Sequence, residues 1–326
     1  MPSAHSIPRS LDVRDIYAHT YRARQFETSI ARVFAEGRVE GWMHSALGQE
    51  LGGTVLGLML RDGDALVPAT RSRSAVLSKG SHLAAVAAEF FGRTTGLQRG
   101  RGKEHLADRS LNILGTTGII GATMPLGVGA AFSCAYREDG FICAVTFGDG
   151  AVAQGAFHES LNIAALWKLP LVFVCENNGY AEFSLTRQTL AQPEIYRYAE
   201  AYGIPGLACD AYELDDLLTS LGGAIKRARA GEGPTLVELR TYRWSGHFEG
   251  DPQKYRSKDE VASWKARDFI PRLRERVVAE GASSESLAQL ERELDDQVSA
   301  AIKTALSSPT PDPQDVESFV YAEANQ

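Results

Sequence analysis

Residues 147–184 read FGDGAVAQGAFHESLNIAALWKLPLVFVCENNGYAEFS, and this stretch decides the fold. Two nearly unbroken apolar runs, Phe141–Phe147 and Leu171–Glu176, enclose a helix-forming segment, Phe157–Trp167. Strands that are apolar at almost every position are typical of a parallel sheet covered on both faces. A helix between two such strands forms a βαβ crossover, which makes the strands parallel. The sequence therefore predicts an α/β fold, with an open parallel sheet flanked by helices.

Polar residues follow both predicted strands at the point where each strand ends. Asp149 lies in the triplet Gly148-Asp149-Gly150, and Asn178 comes after twenty-six further residues and Asn177. Ligands of open parallel sheets bind outside the carboxyl ends of the strands, so both side chains should face one ligand. The glycines allow close backbone approach, and the helix that follows directs free N–H groups to the same place. Mg²⁺ binds hard oxygen ligands, so a carboxylate and an amide oxygen near a diphosphate indicate a Mg²⁺ site. The alternative interpretation of the two motifs is a pair of unrelated turns, one after each strand.

The rest of the chain divides into three predicted parts. Residues 1–36 form a leader and a helix from Leu11 to about Glu36, and residues 37–256 form the α/β domain. Residues 257–326 form amphipathic helices and a Pro-rich tail with an apolar cluster, Phe319–Tyr321. Further strands of the α/β domain are predicted at Ala65–Pro68 and Thr235–Tyr242.

Composition excludes several classes of protein. In 326 residues, 44% are hydrophobic and 23% are charged, which is typical of a globular chain and not of a disordered or fibrous one. The net charge of −7 argues against a general nucleic-acid or anionic-membrane binder, and no apolar run reaches the roughly 18 residues of a spanning helix. The four cysteines form no CxxC pair and three lie in apolar runs, so reduced core cysteines are expected. The N-terminus has no apolar core of signal-peptide type, and together these features predict a cytoplasmic protein.

The spacing of the two polar motifs resembles the thiamine-diphosphate (ThDP) motif, in which GDG is followed after about 25–30 residues by NN. The whole 147–184 stretch is similar to the α subunit of two-chain E1 components of 2-oxo acid dehydrogenases, in the pyruvate and acetoin dehydrogenase branch. The resemblance extends over roughly Val13 to Glu323. Other matching segments are ALGQE at 46–50, AEFFGRTTGLQRGRGKEH at 88–105, GTTGIIGATMPLGVGAA at 115–131, YRWSGHFEGDPQKYR at 242–256 and PDPQDVESFVYAE at 311–323.

This resemblance implies the cofactors ThDP and Mg²⁺ and a set of site residues. The metal ligands would be Asp149, Asn178 and the backbone carbonyl of Tyr180. The backbone of Gly150 and Ala151 would approach the diphosphate, and the side chain of Arg71 would contact it. Gly118 and Ile120 would lie around the aminopyrimidine and thiazolium rings. His247 would be a catalytic histidine in a loop.

The chain departs from the family pattern near Arg71. Thr70 stands where the family often has an aromatic residue or histidine, and Arg73 replaces a second histidine, which leaves the substrate open. Phe248 stands where mammalian relatives carry a regulatory serine, so phosphorylation at that position is excluded. His105 either lies near the cofactor or caps a turn.

The resemblance also implies partners. ThDP enzymes need a second, pyrimidine-binding domain that supplies a glutamate, and only one α/β domain fits this chain. That domain is expected on a β subunit of an α2β2 heterotetramer, and the small residues of Gly127–Ala131 would let a helix pack closely on the sheet or on a subunit. The predicted function is cleavage of a 2-oxo acid or acetoin with transfer of the acyl group to a lipoyl-bearing E2. The alternatives are a two-subunit carboligase (an acyloin-type synthase) that acts without lipoyl, and a non-catalytic scaffold.

Overall fold

A five-stranded parallel sheet forms the centre of the protein, and the computed structural model describes residues 11–318 of the chain. The predicted leader, 1–10, and the apolar cluster Phe319–Tyr321 therefore lie outside the described residues. The strands run in the spatial order β1-β2-β3-β7-β6 and every neighbouring pair is parallel. Their bounds are β1 Ala65–Val67, β2 Cys143–Gly148, β3 Leu171–Asn177, β6 Gly206–Asp210 and β7 Thr235–Arg240, while β4 Tyr180–Ala181 and β5 Ser184–Leu185 form a separate small hairpin.

All four strands predicted from the sequence are present, with ends that differ by at most two residues. The open parallel sheet is thereby confirmed. The edge strand β6 was not predicted, because its sequence, GLACD, lacks the run of branched residues that marks a strand. It is also only partly buried, so the strong apolar signal of a central strand is missing.

Side chains of the central strands point alternately to two cores. On β2, Ala144 faces one core, whereas Val145 and Phe147 face the other. On β3, Val172 and Val174 face the first core in the same way. This double burial explains why both strands read as continuous apolar runs in the sequence.

Helices cover both faces of the sheet. The first helix, α1 (Val13–Ala35), and the two helices α10 (Phe269–Ala279) and α11 (Ser284–Ser307) share one core with the sheet. Helices α5 (Thr123–Arg137) and α6 (Gly155–Leu166) cover the opposite face. The division of the chain into the parts 1–36, 37–256 and 257–326 stays a prediction. The helix bounds are α1 Val13–Ala35, α2 Glu50–Met59, α3 Arg73–Ser78, α4 Leu83–Phe90, α5 Thr123–Arg137, α6 Gly155–Leu166, α7 Thr186–Thr189, α8 Leu214–Arg229, α9 Lys258–Lys265, α10 Phe269–Ala279 and α11 Ser284–Ser307.

Helix α5 carries an exposed apolar face. A Cβ added at Gly127 would lie 2.8 Å from the Cβ of Val145, so this glycine lets α5 pack closely on its own sheet. Gly129 on the same helix faces open space instead, beside the exposed side chains of Phe132 and Tyr136. Within the small-residue stretch, Gly127 therefore allows close packing on the sheet, whereas Gly129 lies on the exposed outer face of the helix.

Two further predictions concern the chemistry of the chain as a whole. All four cysteines are free thiols, and Cys143, Cys175 and Cys209 are buried, as expected of small core residues. Between residues 11 and 318, no helix is both long and apolar enough to cross a membrane.

Candidate active site

Three strands end level with one another at the edge of the sheet where the polar motifs lie. The register pairs Gly148 of β2 with Glu176 of β3, and Asn177 of β3 with Arg240 of β7. Asp149, Asn178 and the loop that follows β7 therefore leave the sheet side by side. The sequence prediction that these segments meet at one edge is confirmed.

Asp149 is a buried carboxylate without a cationic partner. Its side chain is 2% exposed and accepts a hydrogen bond from the hydroxyl of Thr186. Burial raises the pKa of Asp149, although that hydrogen bond, the backbone N–H of Asn178 and the charge of Arg243 act in the opposite direction. No Lys or Arg forms an ion pair with this group within the described residues. A buried charge of this kind is unfavourable unless a cation compensates it.

Asn178 and Tyr180 lie directly beside Asp149. The Asn178 side chain donates to Oε1 of Gln49 at 3.2 Å, and its Oδ1 accepts from the backbone N–H of Tyr180 at 3.2 Å. A Cβ added at Gly150 would lie 3.1 Å from the Cβ of Ala181, so the hairpin that carries Tyr180 packs over Gly150. The structure thus brings together the carboxylate, the amide and the hairpin named as metal-binding positions.

Two arginines converge on His247. The guanidinium of Arg71 donates to the carbonyl oxygen of His247 at 2.6 Å and lies 3.4 Å from its Nδ1. Arg243, which the sequence analysis did not single out, lies 3.3 Å from the same Nδ1 and is 1% exposed. Burial, followed by the charge of Arg243, lowers the pKa of Arg71 to about 9, and burial also lowers that of Arg243. Neither guanidinium has a carboxylate within ion-pair distance in the part of the chain that the structure describes, so the pair is suited to an anion.

His247 itself is neutral at ordinary pH. Burial first, and then the charge of Arg71, lowers its pKa to about 3. Asp251 shapes the loop around it by accepting from the backbone N–H of His247 at 2.7 Å and from the Tyr255 hydroxyl at 2.7 Å. The loop is therefore ordered by its own side chains.

His44 is a second imidazole in this site that sequence reasoning missed. Its ring lies 4.9 Å from that of His247 and meets it edge to face. Its Nδ1 lies 2.5 Å from Oε1 of Glu104. Sixty residues separate His44 from Glu104, so no local pattern could reveal the pair, although Glu104 lies in the segment 88–105 that resembles the E1 family.

The remaining predicted residues occupy the border of the site. Gly118 and Ile120 lie on an exposed loop, where Ile120 is 64% exposed. A Cβ added at Gly118 would lie 3.0 Å from Nε2 of His105, which places His105 against this loop. A Cβ added at Gly121 would lie 3.1 Å from the Cβ of Gln154, so the loop flanks the turn that follows Asp149. Among residues 11–318, neither Gly118 nor Ile120 forms a hydrogen bond with Asp149, and the side chain of Ala151 is buried in the core.

Arg73, which replaces a family histidine, is held away from any ligand. Its guanidinium forms two hydrogen bonds to Glu27, at 2.5 and 2.7 Å, and others to the carbonyl oxygens of His44 and Thr70. With 1% of its surface exposed, Arg73 has a structural role: it holds the segments that carry His44 and Arg71.

We expect Glu176 to make the stability of the fold depend on pH. It is buried at the end of β3, where its Oε2 accepts from the Ser72 hydroxyl at 2.9 Å, and burial raises its pKa from 4.5 to about 7. At a pH between these two pKa values, the Glu176 carboxyl has lost its proton in the unfolded chain but keeps it in the folded chain, so the free energy of unfolding falls as pH rises. The fall amounts to at most about 1.4 kcal/mol per pH unit and ends above about pH 7.

The variant Glu176→Gln cannot ionise and should lack this loss. Urea unfolding of the cofactor-free chain between pH 5 and 8 should show the variant gaining stability relative to wild type as pH rises to about 7. A difference between the two proteins that stays constant over this range would contradict the shifted pKa of Glu176.

Comparison with known proteins agrees with this geometry. The family model described as "Dehydrogenase E1 component" matches residues 18–314. The α subunit of acetoin:2,6-dichlorophenolindophenol oxidoreductase from Bacillus subtilis is 36% identical over 94% of this chain and 92% of its own length. The chloroplastic pyruvate dehydrogenase E1 component subunit alpha-3 of Oryza sativa is 37% identical over 95% of this chain and 75% of its own. The pyruvate dehydrogenase E1 component subunit alpha of Rhizobium meliloti is 35% identical over 91% and 86%, respectively.

Proposed function

The chain belongs to the dehydrogenase E1 component family, and from this membership we propose that it is the α subunit of a ThDP- and Mg²⁺-dependent E1 enzyme. The enzyme cleaves a 2-oxo acid or acetoin and passes the acyl group to the lipoyl group of an E2. The relatives' names include both a pyruvate dehydrogenase and an acetoin oxidoreductase, so both substrate classes stay in the proposal. No observation favours the carboligase alternative.

One observation carries the assignment of the cofactor. Among the described residues, the buried Asp149 forms no ion pair with a cation, and the half-buried Arg71 and the buried Arg243 form none with a carboxylate. The charge of Arg243 acts on Asp149, so the unmatched charges belong to one site. A metal ion bound to a diphosphate supplies the missing cation to the carboxylate and the missing anion to the guanidinium groups.

The residues present fit this group. Asp149, the Asn178 side chain and the Tyr180 carbonyl would hold Mg²⁺, since hard oxygens are the ligands it prefers. The backbone at Gly150 and Ala151 would approach the diphosphate, which Arg71 would also contact. A Cβ added at either of the neighbouring glycines, Gly148 and Gly179, would meet no atom within 4 Å, so the site has room for a ligand.

The thiazolium ring of bound ThDP serves as an electron sink for cleavage next to a carbonyl group. Gly118 and Ile120 would border the cofactor rings, and His247 would support catalysis from the loop after β7. Because His247 is neutral, it acts at the reacting atoms as a hydrogen-bonding group and carries no charge of its own.

The proposed enzyme needs a β subunit, which carries the pyrimidine-binding domain in an α2β2 assembly. The outer face of α5 supports the proposal, because Leu126 and Phe132 are exposed apolar side chains on either side of Gly129, and exposed apolar surface of this kind is typical of contacts with another chain. The proposed location is cytoplasmic, on the basis of the reduced cysteines.

Reconstitution tests this assignment. The chain would be purified alone, and also with a β-type E1 chain from the same organism, and assayed with ThDP, Mg²⁺ and an artificial electron acceptor. Turnover of pyruvate, another 2-oxo acid or acetoin is expected in the complex and absent in either chain alone. Turnover by this chain free of any partner would overturn the two-subunit proposal.

A further inference from the structure

The two imidazoles of the site are held in different ways. The rings of His44 and His247 lie 4.9 Å apart at an interplanar angle of 76°. Each ring uses its Nδ1 to contact the protein, at Glu104 in one case and at Arg71 and Arg243 in the other. Within residues 11–318, Nε2 of neither ring makes a hydrogen bond, so both Nε2 atoms remain for a ligand.

Glu104 fixes the proton of His44 on Nδ1. Its Oε1 lies 2.5 Å from His44 Nδ1, and its Oε2 accepts from the backbone N–H of His44 at 3.1 Å. Burial alone would raise the pKa of Glu104, but the His44 hydrogen bond and the charge of Arg73 hold it below its ordinary value. An ionised carboxylate only accepts hydrogen bonds, so the contact requires an N–H at Nδ1, and in the neutral form of the ring the lone pair is then on Nε2.

The arginines impose the opposite arrangement on His247. Guanidinium groups only donate, so Nδ1 of His247 accepts from Arg71 and Arg243 at 3.4 and 3.3 Å. His247 is neutral, since burial and these charges lower its pKa to about 3. Its single ring proton is therefore on Nε2.

We propose that Glu104 is a positioning residue that holds His44 in the opposite tautomer to His247, so that the two neighbouring rings offer a reacting carbonyl compound one Nε2 acceptor and one Nε2–H donor. The His44 acceptor takes a proton from the reacting molecule, and the His247 N–H stabilises negative charge on its oxygen. The inference rests on the proposed function for the identity of the substrate. The tautomers themselves rest on the contacts alone.

Glu104 is free for this task. Arg73, the charged group whose field reaches Glu104, already has its own carboxylate partner in Glu27 at 2.5 Å. Within the part of the chain that the structure describes, both hydrogen bonds that the Glu104 carboxylate accepts come from His44, one from the ring and one from the backbone. A carboxylate that orients a catalytic imidazole by its far nitrogen commonly changes activity about 10- to 100-fold when it is removed.

Nitrogen NMR of the full chain labelled with ¹⁵N-histidine tests the tautomers without any turnover. Signals of the two rings are assigned by their loss in His44→Ala and His247→Ala. We expect the proton on Nδ1 of His44 and on Nε2 of His247 at pH 7. In Glu104→Met, which keeps the length of the side chain but has no oxygen acceptor, we expect a change of tautomer at His44 but not at His247. The same tautomer in both rings, or an unchanged His44 in Glu104→Met, would overturn the inference even if the proposed function holds.

Activity of the αβ complex provides the second readout. Glu104→Met should lower kcat/KM by about 10- to 100-fold, and Glu104→Asp, which keeps the carboxylate, should recover part of the loss. In a His44→Ala background the same Glu104→Met change should cost less than about twofold, because a positioning residue acts only through the ring it positions. An equal cost in both backgrounds would show a structural role and would sink the assignment.

Glu89 supplies a matched control for loop order. Its carboxylate accepts from the backbone N–H groups of Gln98, Gly100 and Gly102, in the same loop as Glu104, and makes no hydrogen bond to His44. Glu89→Met should leave the His44 tautomer unchanged. If Glu89→Met changes that tautomer as Glu104→Met does, loop disorder explains both changes and the inference fails.

Discussion

Asp149→Asn is expected to weaken Mg²⁺-dependent ThDP binding to the αβ complex by at least about 100-fold while the free chain keeps its stability. The carboxylate is 2% exposed and burial raises its pKa, so its charge destabilises the cofactor-free fold at neutral pH. Asparagine has nearly the same shape and removes that charge, so thermal unfolding of the free chain should begin no earlier than in wild type. Calorimetry and thermal unfolding together separate a lost ligand from a lost fold.

Asp64 is the matched control for this experiment. It is as buried as Asp149, but it is paired with Arg229 at 2.7 Å, far along the chain from the site. Asp64→Asn should therefore lower the stability of the fold, because it leaves Arg229 without its partner, and leave the cofactor affinity of the folded protein unchanged. Unchanged ThDP affinity in Asp149→Asn would falsify the metal assignment.

His247→Ala should reduce acyl transfer from the complex to a lipoyl domain by about 100-fold or more, the scale of one lost hydrogen-bond donor to developing charge. The imidazole is neutral, its Nδ1 is occupied by Arg71 and Arg243, and its Nε2–H is left for the reacting atoms. Turnover with an artificial acceptor should fall less, because formation of the reactive cofactor depends on the glutamate expected from the β subunit.

Two further variants, one conservative and one a control, test the role of His247. His247→Gln should retain more acyl transfer than His247→Ala, because an amide also combines an acceptor oxygen with an N–H donor. His19→Ala, in a half-buried helix position bonded to Arg22, should leave transfer unchanged. Equal loss of lipoyl transfer and artificial-acceptor turnover in His247→Ala would rule out the role given to this residue.

The sheet and the metal-binding edge could be predicted from sequence because their signals are local. Asp149 and Asn178 each follow an apolar run, and parallel strands place such positions together whatever the rest of the chain does. The edge strand Gly206–Asp210 gave no comparable signal, since it is short, partly exposed and rich in small residues.

The second imidazole could not be predicted, for a physical reason. His44 and Glu104 lie in irregular segments without periodicity, and only the folded chain brings them to 2.5 Å. Arg243 lies within the segment 242–256 that matched the E1 family, four residues before His247. Its role emerges only when the structure shows that no carboxylate in the described chain pairs with it and that its guanidinium lies against His247 Nδ1.

Reductive acylation of a lipoyl domain by the wild-type complex tests the central claim most directly. The complex of this chain with its β-type partner would be mixed with ThDP, Mg²⁺, a 2-oxo acid or acetoin, and a free lipoyl domain, and the domain's mass would be followed. The account predicts a lipoyl domain that gains one acyl group on one sulfur and one hydrogen atom on the other, at a rate that depends on the cofactor. An unmodified lipoyl domain, in a complex that instead joins the acyl group to a second carbonyl compound, would contradict it.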